Sequence, residues 1–152
     1  MAGRKSAHPP EPGPGGWTLE VYERADGSCP YSIFLKNLDP YSQLVVDICV
    51  KEVLTRQGHE VCGTSWGTPL GGGLYEFRIR KSLTSLRKEV QVAAPKGIDE
   101  GREILLRVFF AVEGARIVLL LSGYDKGKNS KSRRQEREII KARKLLNEYS
   151  RS

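Results

Sequence analysis

Two apolar runs, residues 104–112 and 115–121, separated only by Glu113-Gly114, constrain this chain more than any other stretch. Both are rich in β-branched and aromatic residues, which suit a buried pleated surface, and an acidic residue followed by glycine is turn chemistry. The pair predicts two strands joined as a β-hairpin. Only Arg107 interrupts the first run, where a lone guanidinium is costly to bury unless paired. Two readings of it stand side by side: a structural ion pair with Glu76, and a clamp for a phosphate.

The rest of the chain supplies partners for that hairpin. Residues 17–23 alternate apolar and polar with period two, a half-buried strand that Asp26-Gly27-Ser28 stops. Cys29-Pro30 opens a short helix over 31–38, with Ile33, Phe34 and Leu38 on one face. Asp39-Pro40 is a helix start, a capping carboxylate before a proline that loses no hydrogen bond at the first helical position. That helix carries Leu44, Val45, Ile48, Cys49, Val53 and Leu54 at helical spacing and ends at Gly58. Residues 59–73 read as a glycine-rich loop, and 74–80 as a strand with Tyr75, Phe77 and Ile79 on one face and Glu76, Arg78 and Arg80 on the other. Residues 82–102 form a polar excursion with room for a short strand at 90–92, and the chain leaves the sheet at Gly123. A basic helix over 132–149 then carries a stripe of Ile139, Ile140, Ala142, Leu145, Leu146 and Tyr149. The expected fold is α+β: an antiparallel sheet of strands near 17–24, 74–81, 103–112 and 115–122, packed on the helix 40–57. Residues 1–16, with four prolines and four glycines, read as a disordered tail ahead of a domain spanning 17–149.

At 152 residues, 39% of them apolar, the chain is long enough to bury a core. Its 25 Lys+Arg against 18 Asp+Glu give a net charge of +7, which favours a polyanionic partner such as nucleic acid. Residues 123–144 hold nine positive and three negative side chains, so nearly all of the net charge lies in one stretch. Most such runs are solvated helix faces; this one begins where a strand ends, beside a sheet that brings further arginines. Apolar runs such as 117–121 fall far short of the about 20 residues of a membrane helix, and no apolar stretch follows the basic start as a secretory signal needs. Cytoplasmic residence is expected. Cys29, Cys49 and Cys62 are odd in number and widely spaced, and His8 and His59 are the two histidines, so neither a disulfide framework nor a metal site is indicated. The glycines of 59–73 match no phosphate-binding loop, and both histidines read as surface residues.

Three pieces taken together resemble one family: Gly73-Leu74-Tyr75-Glu76-Phe77-Arg78, Leu106-Arg107-Val108-Phe109-Phe110 with Ile117-Val118-Leu119-Leu120, and Gly123-Tyr124-Asp125-Lys126. In their order along the chain they are similar to toxins of the RelE/ParE superfamily, in the HigB-like, phage-derived branch. The resemblance covers roughly residues 17–149, about nine-tenths of the chain, and departs where 82–102 look inserted between two strands that relatives join by a short hairpin. It implies a RelE-like fold, with N-terminal helices on the sheet and a basic C-terminal helix. It also implies the toxin of a type II toxin-antitoxin pair, an endoribonuclease that cuts messenger RNA, usually on the ribosome, and is silenced by an antitoxin. A helix-turn-helix antitoxin is the expected partner, with no cofactor.

Carried onto this sequence, the resemblance implies catalytic roles for Arg107, Lys126, Tyr124 and Lys128. RNA-binding roles fall on Arg78 and Arg80, and on Lys131, Arg133 and Arg134 of the basic segment; Glu76 would hold an arginine. The chemistry needs no metal, because RNA supplies its own nucleophile, the 2′-OH, which attacks the adjacent phosphorus in line. Arginine binds charge but cannot act as a base. Proton transfer would then fall to Lys126, Lys128 or Tyr124, with pKa values lowered by crowded positive charge. Two other functions compete: a ParE-like inhibitor of DNA gyrase, and a basic nucleic-acid-binding module without activity.

Overall fold

The computed structural model describes residues 16–89, 101–128 and 131–151, and the backbone of 3–4. At its centre lies the expected hairpin, β4 (Ile104–Glu113) and β5 (Ile117–Asp125), whose turn residues Gly114 and Arg116 both have positive φ (50° and 63°). The turn is thus three residues, and β5 begins at Ile117 rather than at Ala115. β5 also runs on through Gly123, Tyr124 and Asp125, which pair with Val108, Arg107 and Leu106; the chain does not leave the sheet at Gly123.

Around this hairpin stand β1 (Thr18–Val21), β2 (Gly67–Gly71) and β3 (Leu74–Lys81), in the order β1-β5-β4-β3-β2. The sheet is mixed. β2 to β5 pair antiparallel, but β1 lies parallel to β5, Thr18 opposite Ile117, which corrects the all-antiparallel expectation. Period-two alternation reports a buried face and carries no strand direction, so the sequence could not distinguish the two. The predicted first strand also breaks at Tyr22, and Glu23–Arg24 pairs instead with Gly3–Arg4, inside the stretch read as a tail. The other tail residues, 1–2 and 5–15, and the strand expected at 90–92 lie outside the described residues. β2 falls in the stretch read as loop; its glycines and proline mask a strand that occupies the sheet edge, where Pro69 is tolerated.

One sheet face is covered by α1 (Pro30–Lys36) and α2 (Pro40–Cys49), the latter continuing through a π-helical stretch, Val50–Leu54, and a last turn, Thr55–Gln57. Asp39 caps α2 as expected, its carboxylate accepting from Ser42 N–H at 2.7 Å. Gly58 ends the helical run at φ +54°, and a Cβ there would meet the Trp17 ring at 2.4 Å, so this stop depends on glycine twice over. Val45, Val46, Leu54, Phe77, Leu106 and Phe110 are among the residues of this core. α1 ends at Lys36 rather than at Leu38; Phe34 on it and Leu38 just beyond it are buried as expected, joined by Tyr31, whereas Ile33 is 52% exposed.

The excursion after β3 also differs from its polar reading. Leu83 and Leu86, on the short helix α3 (Leu83–Leu86), are fully buried in the same core. Tyr41 fastens both ends of the excursion: its hydroxyl accepts from Leu83 N–H at 2.9 Å and donates to the Arg102 carbonyl at 2.7 Å.

The opposite sheet face is covered by α4 (Ser132–Ser150). It docks through Ala142 and Leu145, with Ile139, Leu146 and Tyr149 partly buried, onto Leu74, Phe109, Leu119 and Leu121. Ile140, expected in that stripe, points outward and is 64% exposed. No helix among the described residues is long and apolar enough to cross a membrane.

Candidate functional site

A β-bulge assembles the site. Between Phe109, opposite Ser122, and Phe110, opposite Leu120, β5 carries one extra residue, Leu121. Beyond it the side-chain alternation is reset, so Tyr124 joins Leu119 and Leu121 on the α4 face instead of facing α2. Register then sets three predicted residues in a row across the sheet: Arg78 of β3 opposite Arg107 of β4, and Arg107 opposite Tyr124 of β5.

Glu76 sits beneath the row and is fully buried. Its Oε1 accepts from Arg78 Nε at 3.0 Å and lies 3.8 Å from Arg107 Nε, and its Oε2 accepts from Gln135 Nε2 of α4 at 3.3 Å. A buried carboxylate held by two guanidiniums and an amide is compensated, and it fixes the arginines in return. Of the two readings of Arg107, the ion pair with Glu76 is the one this geometry contains. The residue is 8% exposed, and its Nη1 donates to the Leu106 carbonyl at 3.1 Å. Its pKa lies below that of an ordinary guanidinium because burial disfavours the charge, partly offset by Glu76.

Two donors at the centre are left over. Arg107 Nε and the Tyr124 hydroxyl are buried with no hydrogen-bond partner among the described residues. An unmade bond of this kind costs about 1–3 kcal/mol in a folded protein, and such groups collect where a ligand completes them. Burial, and after it Glu76, pushes the Tyr124 pKa up, which corrects the expectation that crowded positive charge would lower it. Tyr124 keeps its proton and is a donor. Phe109 stacks on its ring with centroids 6.0 Å apart, and the Arg134 guanidinium lies 5.7 Å from the ring centre.

The other predicted residues surround this row at varying distance. Arg78 is half-buried, its side chain 40% exposed, and Arg80, two residues on along the same face, is 75% exposed and paired with Glu103 at 3.4 Å. Lys126 and Lys128 follow the end of β5; the turn is tied back by Gly127 N–H donating to Leu105 O at 3.1 Å and by Lys128 N–H donating to Asp125 Oδ1 at 3.2 Å. Lys131 stands at the N-cap position of α4 without a capping side-chain bond, and Arg133 is exposed on its first turn. Arg134 shares the buried carboxylate of Glu138 with Lys141, at 3.9 and 3.5 Å. Thus Arg78, Arg107, Tyr124 and Arg134 converge, Arg80 flanks them, and the lysines and Arg133 edge the same end of the molecule.

Three contributors escape sequence reading. Gln135 ties α4 to Glu76, and Glu138 neutralises part of the basic run from within. Arg143, counted with the basic stretch, is structural: it donates to the carbonyls of Leu70 and Gly71 and pins α4 to the β2–β3 turn. An acidic residue inside a basic helix was the one available signal. No cluster of three or more metal-ligating side chains occurs among the described residues. Comparison with protein-family models, with curated proteins and with solved structures finds no match.

Proposed function

We propose that this chain is a RelE-like toxin of the HigB-like branch, an endoribonuclease that cuts messenger RNA on the ribosome through attack of the RNA's own 2′-OH. The observation that carries the reading is the row Arg78-Arg107-Tyr124, with one buried glutamate beside its arginines and two donors that have no hydrogen-bond partner among the described residues. Cleavage of this kind requires the scissile phosphate to be bound, its added negative charge stabilised, and a proton delivered to the departing 5′-oxygen. Arg78 and Arg80, the more exposed guanidiniums, bind the phosphates flanking the cut. Arg107 acts from beneath as a positioning charge, sharing Glu76 with Arg78. Tyr124, which retains its proton, is the general acid and gives it to the departing 5′-oxygen; Lys126 or Lys128 at the strand end, reacting as the neutral amine, takes the 2′-OH proton. Arg133, Arg134 and Lys131 extend the positive surface along the RNA.

In this reading the cell silences the chain with a helix-turn-helix antitoxin, and the site of action is the cytoplasmic ribosome. A bound nucleic acid would complete the two donors in the nuclease and in the inactive binder alike, so cleavage itself separates these readings. The test is to incubate the pure protein with translating ribosomes and map new RNA 5′ ends. Discrete new ends that disappear with Tyr124→Phe support the nuclease; binding that falls with salt but yields no new ends supports the inactive module.

A further inference from the structure

Glu76 bonds two of its neighbours and falls short of a third. Its Oε1 accepts from Arg78 Nε at 3.0 Å, and its Oε2 accepts from Gln135 Nε2 at 3.3 Å. Arg107 Nε lies 3.8 Å from Oε1, beyond hydrogen-bond range, and has no other acceptor among the described residues. A fully buried carboxylate with a guanidinium N–H this near gains by turning to bond it. The Gln135 amide opposes that turn, because Oε2 is already spent on it.

An amide is the group this place needs. An ionised carboxylate only accepts, so the NH₂ of Gln135 and not its carbonyl must face Glu76. A lysine or arginine would add a third cation beside Arg78 and Arg107, and a glutamate would set a second carboxylate against the first. Gln135 is the one uncharged residue between Arg133 and Glu138. Docking of α4 does not depend on this bond, since the helix is held by Ala142 and Leu145 in the core, by Arg143 on the carbonyls of Leu70 and Gly71, and by Glu148 on Arg24. The neighbouring Arg134 lies 5.7 Å from the centre of the Tyr124 ring, so the first turn of α4 reaches Glu76 and Tyr124 together.

We infer that Gln135 is a positioning residue: by occupying Oε2 it keeps Glu76 turned to Arg78 and leaves the Arg107 Nε–H uncommitted. Arg107 then carries its charge with no hydrogen bond to Glu76 that must break before the guanidinium serves an anionic oxygen of the RNA. The control of Glu76 stands on the geometry alone; its consequence for cleavage rests on the nuclease reading. Loss of the amide would leave an unmet acceptor, Oε2, beside an unmet donor, Arg107 Nε, and one rotation of the carboxylate satisfies both. Gln135→Leu should therefore silence Arg107 without unfolding the chain.

Nuclear magnetic resonance of the arginine Nε–H groups in the full chain, assigned through bonds from the backbone, tests this. In the parent, the Arg78 Hε is expected at the low-field position of a bond to a carboxylate, and the Arg107 Hε is not. In Gln135→Leu, or in Gln135→Met should the leucine variant fail to fold, the Arg107 Hε should move to low field and exchange more slowly with water, at a melting temperature close to the parent's. Single-turnover cleavage should fall about 10- to 100-fold, as when a reacting group is misplaced, while RNA affinity and its salt dependence stay as in the parent because no cation is removed. An Arg107 Hε already at low field in the parent overturns the proposal, and so does one that stays in place in both variants. Unchanged cleavage in a variant whose Arg107 signal has moved overturns it equally. If the signals move as expected while neither parent nor variant cuts RNA, the control of Glu76 by Gln135 is upheld and the nuclease reading falls.

Discussion

Among the described residues the buried Tyr124 hydroxyl has no hydrogen-bond partner, and neither does Arg107 Nε, whose ion-pair contact with Glu76 is 3.8 Å long. Removing that hydroxyl relieves an unmet desolvation cost, so Tyr124→Phe should leave the melting temperature unchanged or raise it. If the hydroxyl is the general acid, cleavage falls by about 10²–10⁴-fold in the same variant. Opposite signs for stability and activity distinguish a site residue from a packing residue; thermal melting and timed cleavage read them. Arg107→Ala behaves differently, since it strips a partner from fully buried Glu76. Breaking such a pair costs about 3–5 kcal/mol, and the variant should melt well below the parent. Restoring neutrality with Arg107→Ala/Glu76→Gln should recover part of that loss; no recovery would mean that the pair is not what holds the two residues. The importance of Arg107, and Glu76 as one candidate to pair with it, were legible from a guanidinium placed in an apolar strand. That Tyr124 shares their face was not, because the bulge at Leu121 resets the alternation and no local pattern marks a bulge.

Elements differ in how openly the sequence declares them. The hairpin, α2 and α4 stand out because their apolar periodicity is long, whereas β2 is concealed by glycine and proline and has sheet partners only through tertiary pairing. The excursion after β3 reads as polar since two leucines in a charged stretch give no periodicity, yet both reach the core. Leu83→Ala or Leu86→Ala should therefore each cost about 2–5 kcal/mol, as a core truncation does, and a loss below that of an exposed leucine in denaturant unfolding would contradict the placement. The start of α2 also sets an acid response. Hydrogen bonds from Arg102 and Ser42 hold the Asp39 carboxyl well below the usual carboxylate range. Its stabilising contribution is thus complete above the unfolded carboxyl pKa of about 4 and is lost as the pH falls below that value. Asp39→Asn, which keeps a capping side chain, should lower stability near neutral pH and flatten its decline in acid. An unchanged pH profile would show that the capping charge is not coupled to folding.

For the whole molecule, the distribution of charge predicts how RNA binding responds to salt. Five cations, Arg78, Arg80, Lys131, Arg133 and Arg134, are assigned to the RNA backbone, so log affinity should fall against log salt with a slope of roughly −3.5, at about 0.7 per contact on a single strand. Arg78→Ala should make that slope shallower by about 0.7. The central claim, attack by the 2′-OH, is tested most directly by the chemical ends of the RNA fragments. The 2′-oxygen bonds to phosphorus as the bond from phosphorus to the 5′-oxygen breaks. Upstream fragments must then end in a 2′,3′-cyclic phosphate and downstream fragments begin with a 5′-hydroxyl. Mass spectrometry of fragments released on translating ribosomes should find that pair of ends with the parent chain. Fragments carrying a 5′-phosphate and a 3′-hydroxyl, or no fragments at all, would contradict the account.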